Sequence, residues 1–334
     1  MKFEIPNIAK HQINLILDNK VIHYNEHIHD IDYICNEIRN FSSFTDEFVI
    51  LHSHEVITHS AKLESIYDLI DELDIKIYIH SSVSNQPYHG VHPLVNIWMW
   101  SRNYGYTSAD YYDKDSMNLL FRKDTYLNSS KININKKTIK SILSSRTSSG
   151  IRDYIFSNIN KDDVEINRYI NYTHAEELNE DIQPNNRLTL FPSFNELLDE
   201  YYSSIFSFII ETDNFSFYPI HSPKTQFQTG PQLSEKTIIP FLTGTIPIII
   251  GQKHLISDLE KMGFWIANKD FGYSDGDEYI YYKYKANRFI RCIKNINKLS
   301  FNETKQYWLD NKDKIYNNWN IVSTLFKYTN KSVI

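Results

Sequence analysis

Cysteine is almost absent: Cys35 and Cys292 are the two in 334 residues, far apart in sequence. That excludes a disulfide scaffold and points to a reducing compartment. Glycine is scarce as well, at nine residues, and no Walker-type loop, GxSxG elbow, zinc ribbon or deaminase signature is present. No stretch approaches the roughly 18 apolar residues that a membrane span needs. The opening run MKFEIPNIAKHQINLILDNK has neither an apolar core nor a small-residue cleavage site, so it does not read as a secretory signal. The expectation is a cytoplasmic protein, in a host cytoplasm if the source is viral, as the Asn, Ile, Lys and Tyr bias suggests.

What the sequence does have is core material and a skewed charge. Apolar residues make up 41% and charged residues 23%, the balance of an ordered chain long enough for two domains. The net charge is −6, and residues 1–136 carry all of it: 12 Lys/Arg against 18 Asp/Glu there, 23 of each afterwards. An acidic N-terminal surface counts against nucleic acid as the main partner.

Short apolar runs alternate with helical stretches. Phe48–Leu51 reads as a buried strand, Ala61–Leu73 as a helix with Leu63, Ile66, Leu69, Ile70 and Leu73 on one face, and Lys76–His80 as the next strand. Ile31–Arg39 is a further helix candidate. Strand, helix, strand with short joints is the signature of a parallel sheet. Asn128–Lys137 is polar and nearly core-free, which sets the expected domain joint. The rhythm then restarts with strands at Thr138–Ser144, Glu165–Ile170, Ile205–Glu211 and Ile246–Ile250. Helices are expected at Gly150–Asn158, Ser234–Leu242 (kinked or shortened by Pro240), Lys253–Met262, Glu278–Lys298 and Asn302–Lys314, with a short strand at Gly263–Ala267. The fold class is α/β, with domains at residues 1–136 and 137–300, and helices in 301–334 able to pack back on the first domain.

Three groups of residues carry chemistry. Ser144-Ser145-Arg146-Thr147-Ser148-Ser149-Gly150-Ile151-Arg152 lies where a strand turns into a helix, the edge at which open α/β sheets bind ligands. Small residues, a helix start and two arginines suit a phosphate; a Ser/Thr-capped helix with surface arginines is the plainer alternative. Ser234-Glu235-Lys236 opens the second such helix. A lysine at a helix N-terminus is disfavoured unless an anion lies close, and the neighbouring carboxylate can grip both hydroxyls of a ribose; an exposed Glu-Lys pair is the plainer alternative. The third group is histidine: ten of 13 fall within the first 92 residues, with His52, His54, Glu55, His59, His80, His89 and His92 among them. These suit an acceptor-activating base better than a metal site, since neither Cys nor close-set Asp accompanies them, and ordinary half-buried histidines at strand ends are the favoured explanation over both.

Phe208-Ile209-Ile210-Glu211-Thr212, Leu233-Ser234-Glu235-Lys236 and Gly244-Thr245-Ile246-Pro247-Ile248-Ile249-Ile250-Gly251 together resemble the donor-binding segment of α-1,3-fucosyltransferase-like enzymes. They are still more similar to a group of phage and giant-virus glycosyltransferases, as are Leu255, Leu259, Gly263, Phe264, the acidic stretch 270–278 and Arg288 and Arg291. The resemblance covers residues 138–320; Ser234 stands where Thr is usual, and the loop before it is longer than in fucosyltransferases. It implies a GT-B-like architecture of two Rossmann-like domains with parallel sheets facing a central cleft. It further implies a hexosyl- or fucosyltransferase-like enzyme moving a sugar from a UDP- or GDP-linked donor to a hydroxyl on a glycan, a protein or modified DNA. Neither metal nor resident cofactor is implied, the nucleotide sugar being a co-substrate. Glu235 would bind the ribose and Lys236 and Arg146 would face the diphosphate, with Glu211 near the sugar or nucleotide and Ser234 and Arg152 also in the donor site. Glu55, His54 or His92 would serve as base if the enzyme inverts; retaining chemistry would need none. Two other readings remain: an enzyme glycosylating a hydroxymethylated base in DNA, and a non-catalytic nucleotide- or carbohydrate-binding protein of the same fold.

Overall fold

The computed structural model describes residues 3–24, 29–52, 60–80, 91–100, 128–145, 150–160, 164, 166–169, 194–211, 235–251, 255–273 and 282–328. It is an α/β protein with two parallel sheets, and its described residues fall into two compact units. The first takes the chain N-terminal to Phe121 and again from Thr324; the second takes the described residues between Arg122 and Ser323, apart from 214–233.

In the first unit, α1 (Asn7–Leu17) leads to β1 (Val21–Tyr24), α2 (Ile31–Ser42), β2 (Glu47–His52), α3 (Ser60–Leu73), β3 (Lys76–His80) and α4 (Pro93–Trp100). The strands pair in parallel in the order β1-β2-β3, with Val21 opposite Val49 and Phe48 opposite Ile77. Strand side chains alternate between faces. Ile22, Tyr24, Phe48, Ile50, Ile77 and Ile79 accordingly meet Ile34 and Ile38 of α2 and Ile66, Leu69 and Ile70 of α3 in one apolar cluster. Helix α1 packs against β2 and α4. Asp30 starts α2 by accepting from the Tyr33 amide at 2.8 Å. At the far end of the chain, Tyr328 joins this unit: its carbonyl accepts from Trp98 Nε1 at 3.1 Å and its hydroxyl donates to Asn14 Oδ1 at 3.1 Å.

The second unit runs β4 (Ile139–Ser145), α5 (Gly150–Asn158), β5 (Ile166–Tyr169), α6 (Phe194–Ser203), β6 (Ser204–Ile210), α7 (Glu235–Thr243), β7 (Ile246–Ile250), α8 (Leu255–Lys261), α9 (Tyr282–Asn297), α10 (Phe301–Asp310) and α11 (Lys312–Lys327, whose residues from Thr324 belong to the first unit). Its four strands are parallel in the order β5-β4-β6-β7. Helices cover both faces. Phe206 meets Tyr307 of α10 and Phe208 meets Phe289 of α9 on one face, with ring centroids 5.8 and 6.2 Å apart. Helices α6 and α7 pack on β6 from the other. Every residue of β6 and β7 is buried, as continuous apolar runs in a doubly wound sheet require.

Several sequence expectations need correction. The strand expected at Gly263–Ala267 does not form; a 3-10 turn at Ala267–Phe271 follows instead. The cause is Asn268, whose side chain takes both backbone groups of Ile249 (amide to Oδ1 at 2.8 Å, Nδ2 to carbonyl at 2.6 Å), the ladder positions another strand would need. Helix α7 passes Pro240 and ends at Thr243, where the Thr243 hydroxyl donates to the Ile239 carbonyl at 3.0 Å and the Thr245 amide to the Pro240 carbonyl at 3.0 Å. Gly244 then turns the chain at φ +66°, and Ile132 sits where a Cβ would lie. The single helix expected at Asn302–Lys314 is two, α10 and α11, divided at Asn311.

Candidate functional site

The chain leaves β4 toward β5 on one side and returns to β6 on the other, so the switch in strand order lies between β4 and β6. Ligands of open α/β sheets bind at the carboxyl end of such a switch. β4 ends there at Ser145, and Glu211 directly follows the last residue of β6.

A set of buried polar side chains meets at this edge. Glu211 is 1% exposed; its amide donates to the Ile250 carbonyl at 2.8 Å, and its Oε1 accepts from the Thr237 hydroxyl of α7 at 2.5 Å. Arg152 in the first turn of α5 is 3% exposed, and its guanidinium donates to the Ile210 carbonyl at 3.2 Å. Lys285 in the first turn of α9 is 5% exposed, and its ammonium donates to the Gly251 carbonyl. Gly251 is held to glycine by proximity: a Cβ there would lie 2.3 Å from Leu255 Cδ2 and 3.1 Å from Glu211 Cβ. Two cations and one carboxylate thus crowd the ends of β6 and β7, with the starts of α5 and α7 adding the positive ends of two helix dipoles. Burying charge is costly without partners, and such clusters recur where a ligand is to be gripped.

The residues expected from sequence fall as follows. Arg152 and Glu211 join this cluster. Glu235 and Lys236 occupy the first turn of α7, two residues and one residue before Thr237, and Lys236 is half-buried. Arg146 and Ser234 lie outside the described residues, as do His54 and Glu55. His52 and His80 end β2 and β3. His92 starts α4: its Nδ1 accepts from the Leu94 amide at 3.2 Å, while its own amide donates to Gln12 Oε1 at 2.7 Å. Burial lowers its pKa, so the neutral ring with a capping Nδ1 is favoured. That nitrogen is the ring's basic atom, which gives His92 a helix-capping role the sequence did not suggest. Among the described residues no group of three or more His, Cys, Asp and Glu side chains is placed to hold a metal ion, and no helix is long and apolar enough to cross a membrane.

Sequence reading missed Thr237, Gly251 and Lys285. Lys285 carried a signal: it shares a helical stripe with Phe289, Cys292 and Ile296, all buried, and a lysine on an apolar stripe calls for an explanation. Comparison with family models, curated proteins and solved structures finds no match to this chain.

Proposed function

We propose that the chain is a nucleotide-sugar-dependent glycosyltransferase of GT-B type, which binds a UDP- or GDP-sugar at the carboxyl edge of the β4–β7 sheet. The observation that carries this reading is the coincidence of the strand-order switch with the buried Arg152–Glu211–Thr237–Lys285 cluster. A diphosphate is the anion that suits two helix N-termini and nearby cations. Glu235, at the head of α7, grips the ribose in this reading, and Lys236 and Arg146 flank the diphosphate. The developing charge on the departing nucleotide is then met by fixed cations and amide dipoles, which is how such transfer proceeds without a metal. The sugar passes from the anomeric carbon–phosphate bond to an acceptor hydroxyl, and the nucleoside diphosphate leaves.

A thermal-shift panel of UDP-, GDP-, CMP- and TDP-sugars tests this. One nucleotide class should raise the melting temperature in a concentration-dependent way, and Glu235→Ala should abolish the shift. Sugar-nucleotide turnover by the same preparation separates an enzyme from a binder. A panel without any shift, or a shift unchanged by Glu235→Ala, overturns the assignment.

A further inference from the structure

At the far end of α7 from Glu235 the second unit has a cavity of about 460 Å³, walled by the turn after α8 and the first turns of α11. Its lining is Glu260, Gly263, Phe264, Trp265, Asp313, Lys314 and Asn317. The floor is aromatic and rigid. Phe264 stacks on Phe241 with centroids 4.5 Å apart. The Trp265 backbone is clamped by Asn318, which accepts from its amide at 2.7 Å and donates to its carbonyl at 2.8 Å. Trp265 itself is half-buried, and the exposed Lys314 side chain lies over its ring with the ammonium 5.1 Å from the centroid, so a ring that stacks on Trp265 takes the place of this flexible side chain.

The rim is polar and electrically balanced. Glu260 is neutralised by Lys269, which lies outside the lining at 2.6 Å, and Asp313 is followed in the chain by Lys314, so the lining's two carboxylates are matched by one ammonium within it and one behind it. Asn317 adds an amide, its Nδ2 donating to the Gly263 carbonyl at 3.0 Å. Such a rim discriminates by charge. A phosphate or carboxylate ligand calls for net positive charge, and an amine for net negative charge; this rim offers neither. It offers acceptors and donors side by side over an aromatic floor. That combination suits a neutral polyhydroxyl ring, whose hydroxyls each donate and accept and whose axial C–H face is apolar. The volume lies in the range of small-molecule sites and admits one or two pyranose rings.

We propose that this cavity is a glycan-binding site for neutral sugars, separate from the nucleotide site, with Trp265 as the stacking platform and Asp313 and Asn317 as hydroxyl partners. It requires no catalytic activity and stands if the nucleotide reading fails.

The test uses the full chain with maltose, cellobiose, lactose and chitobiose as probes, followed by saturation-transfer NMR and titration, with inorganic phosphate and choline as charged comparators. At least one disaccharide should bind with a Kd on the order of millimolar, typical of a single shallow sugar site, and more tightly than either comparator. Trp265→Ala should weaken it about tenfold or more, and Asp313→Asn, on an exposed helix turn where folding is not at stake, several-fold. UDP- and GDP-sugar thermal shifts should be unchanged in both variants, which separates this site from the other. Failure of every disaccharide to bind, tighter binding of phosphate or choline, or full affinity in Asp313→Asn overturns the proposal.

Discussion

Thr237 Oγ1 donates to Glu211 Oε1 across 2.5 Å, tying the end of β6 to the first turn of α7 with both groups buried. Thr237→Val keeps shape and branching and removes only the donor. The loss of this bond to a buried carboxylate should cost about 1–3 kcal/mol. Urea denaturation reads it as a lower midpoint at unchanged slope. A variant as stable as the parent would show that the bond contributes nothing to the fold.

Gly251 is fixed by contact, since a Cβ there collides with Leu255 and presses on Glu211. Gly251→Ala should therefore destabilise the unit and displace the Glu211 carboxyl together with the carbonyl that Lys285 holds. The double variant Gly251→Ala/Leu255→Ala makes room for the methyl and should recover the Glu211 position, though at the cost of a cavity. Under the proposed function, nucleotide-induced stabilisation falls in the single variant and returns in the double. Chemical unfolding and thermal shift together check both halves.

Much of this architecture is legible in the chain, because fully buried parallel strands are continuous apolar runs: Phe48–Leu51, Ile205–Ile210 and Ile246–Ile250 all stand out. Glu211 was legible for the same reason, as an acid that ends such a run. Elements without contrast were not. Helix α4, Pro93–Trp100, is apolar on nearly every side and buried, so it shows no amphipathic period. Helix α1 does carry a helical spacing, Ala9, Ile13 and Ile16 being buried at intervals of four and three, whereas β1 at four residues is too short to show a period. Thr237 and Lys285 were hidden because their roles come from neighbours brought by other strands, which no local pattern reports. The failed strand at Gly263–Ala267 has the same origin: the decisive partner is a side chain, Asn268, and not a propensity.

Glu47, at the start of β2, gathers three donors: His11 Nε2, Lys76 Nζ and the Tyr78 hydroxyl, each at 2.9 Å. Burial works against its charge, but the hydrogen bonds from Lys76, His11 and Tyr78 outweigh it and bring the carboxyl down to about 2. A depressed carboxylate pKa stabilises the folded state above the unfolded value near 4.3, and that contribution disappears as pH falls through about 2. His11 and Lys76 are well exposed, so solvent screening leaves about 1 kcal/mol. Glu47→Gln should flatten the acid limb of stability between pH 4.5 and about 2; equal acid limbs in parent and variant would refute the coupling.

Lys137 is fully buried at the start of the second sheet, where its Nζ lies 3.2 Å from the carbonyl oxygens of Tyr201 and Thr243, to which it donates, and 3.2 Å from the Thr245 hydroxyl. The carbonyls come from the ends of α6 and α7, so one side chain closes two helix C-termini. Burial without a carboxylate partner among these contacts drives its pKa well below the ordinary lysine value. The sign of the pH effect follows. Between the lowered folded value and the unfolded value near 10.4, the unfolded chain holds a proton that the folded chain has released, so stability rises with pH across that window. Lys137→Met fills similar volume without a titrating group; it takes the lysine donor from both carbonyls, although the Tyr201 carbonyl still accepts from the Thr245 hydroxyl at 2.6 Å, so it should lower stability at every pH. The difference between parent and variant isolates the lysine. Unfolding free energies measured from pH 7 to 10 should show the parent gaining on Lys137→Met as pH rises. A constant difference would mean that the lysine keeps its proton in the fold and that its three oxygen partners outweigh the loss of water.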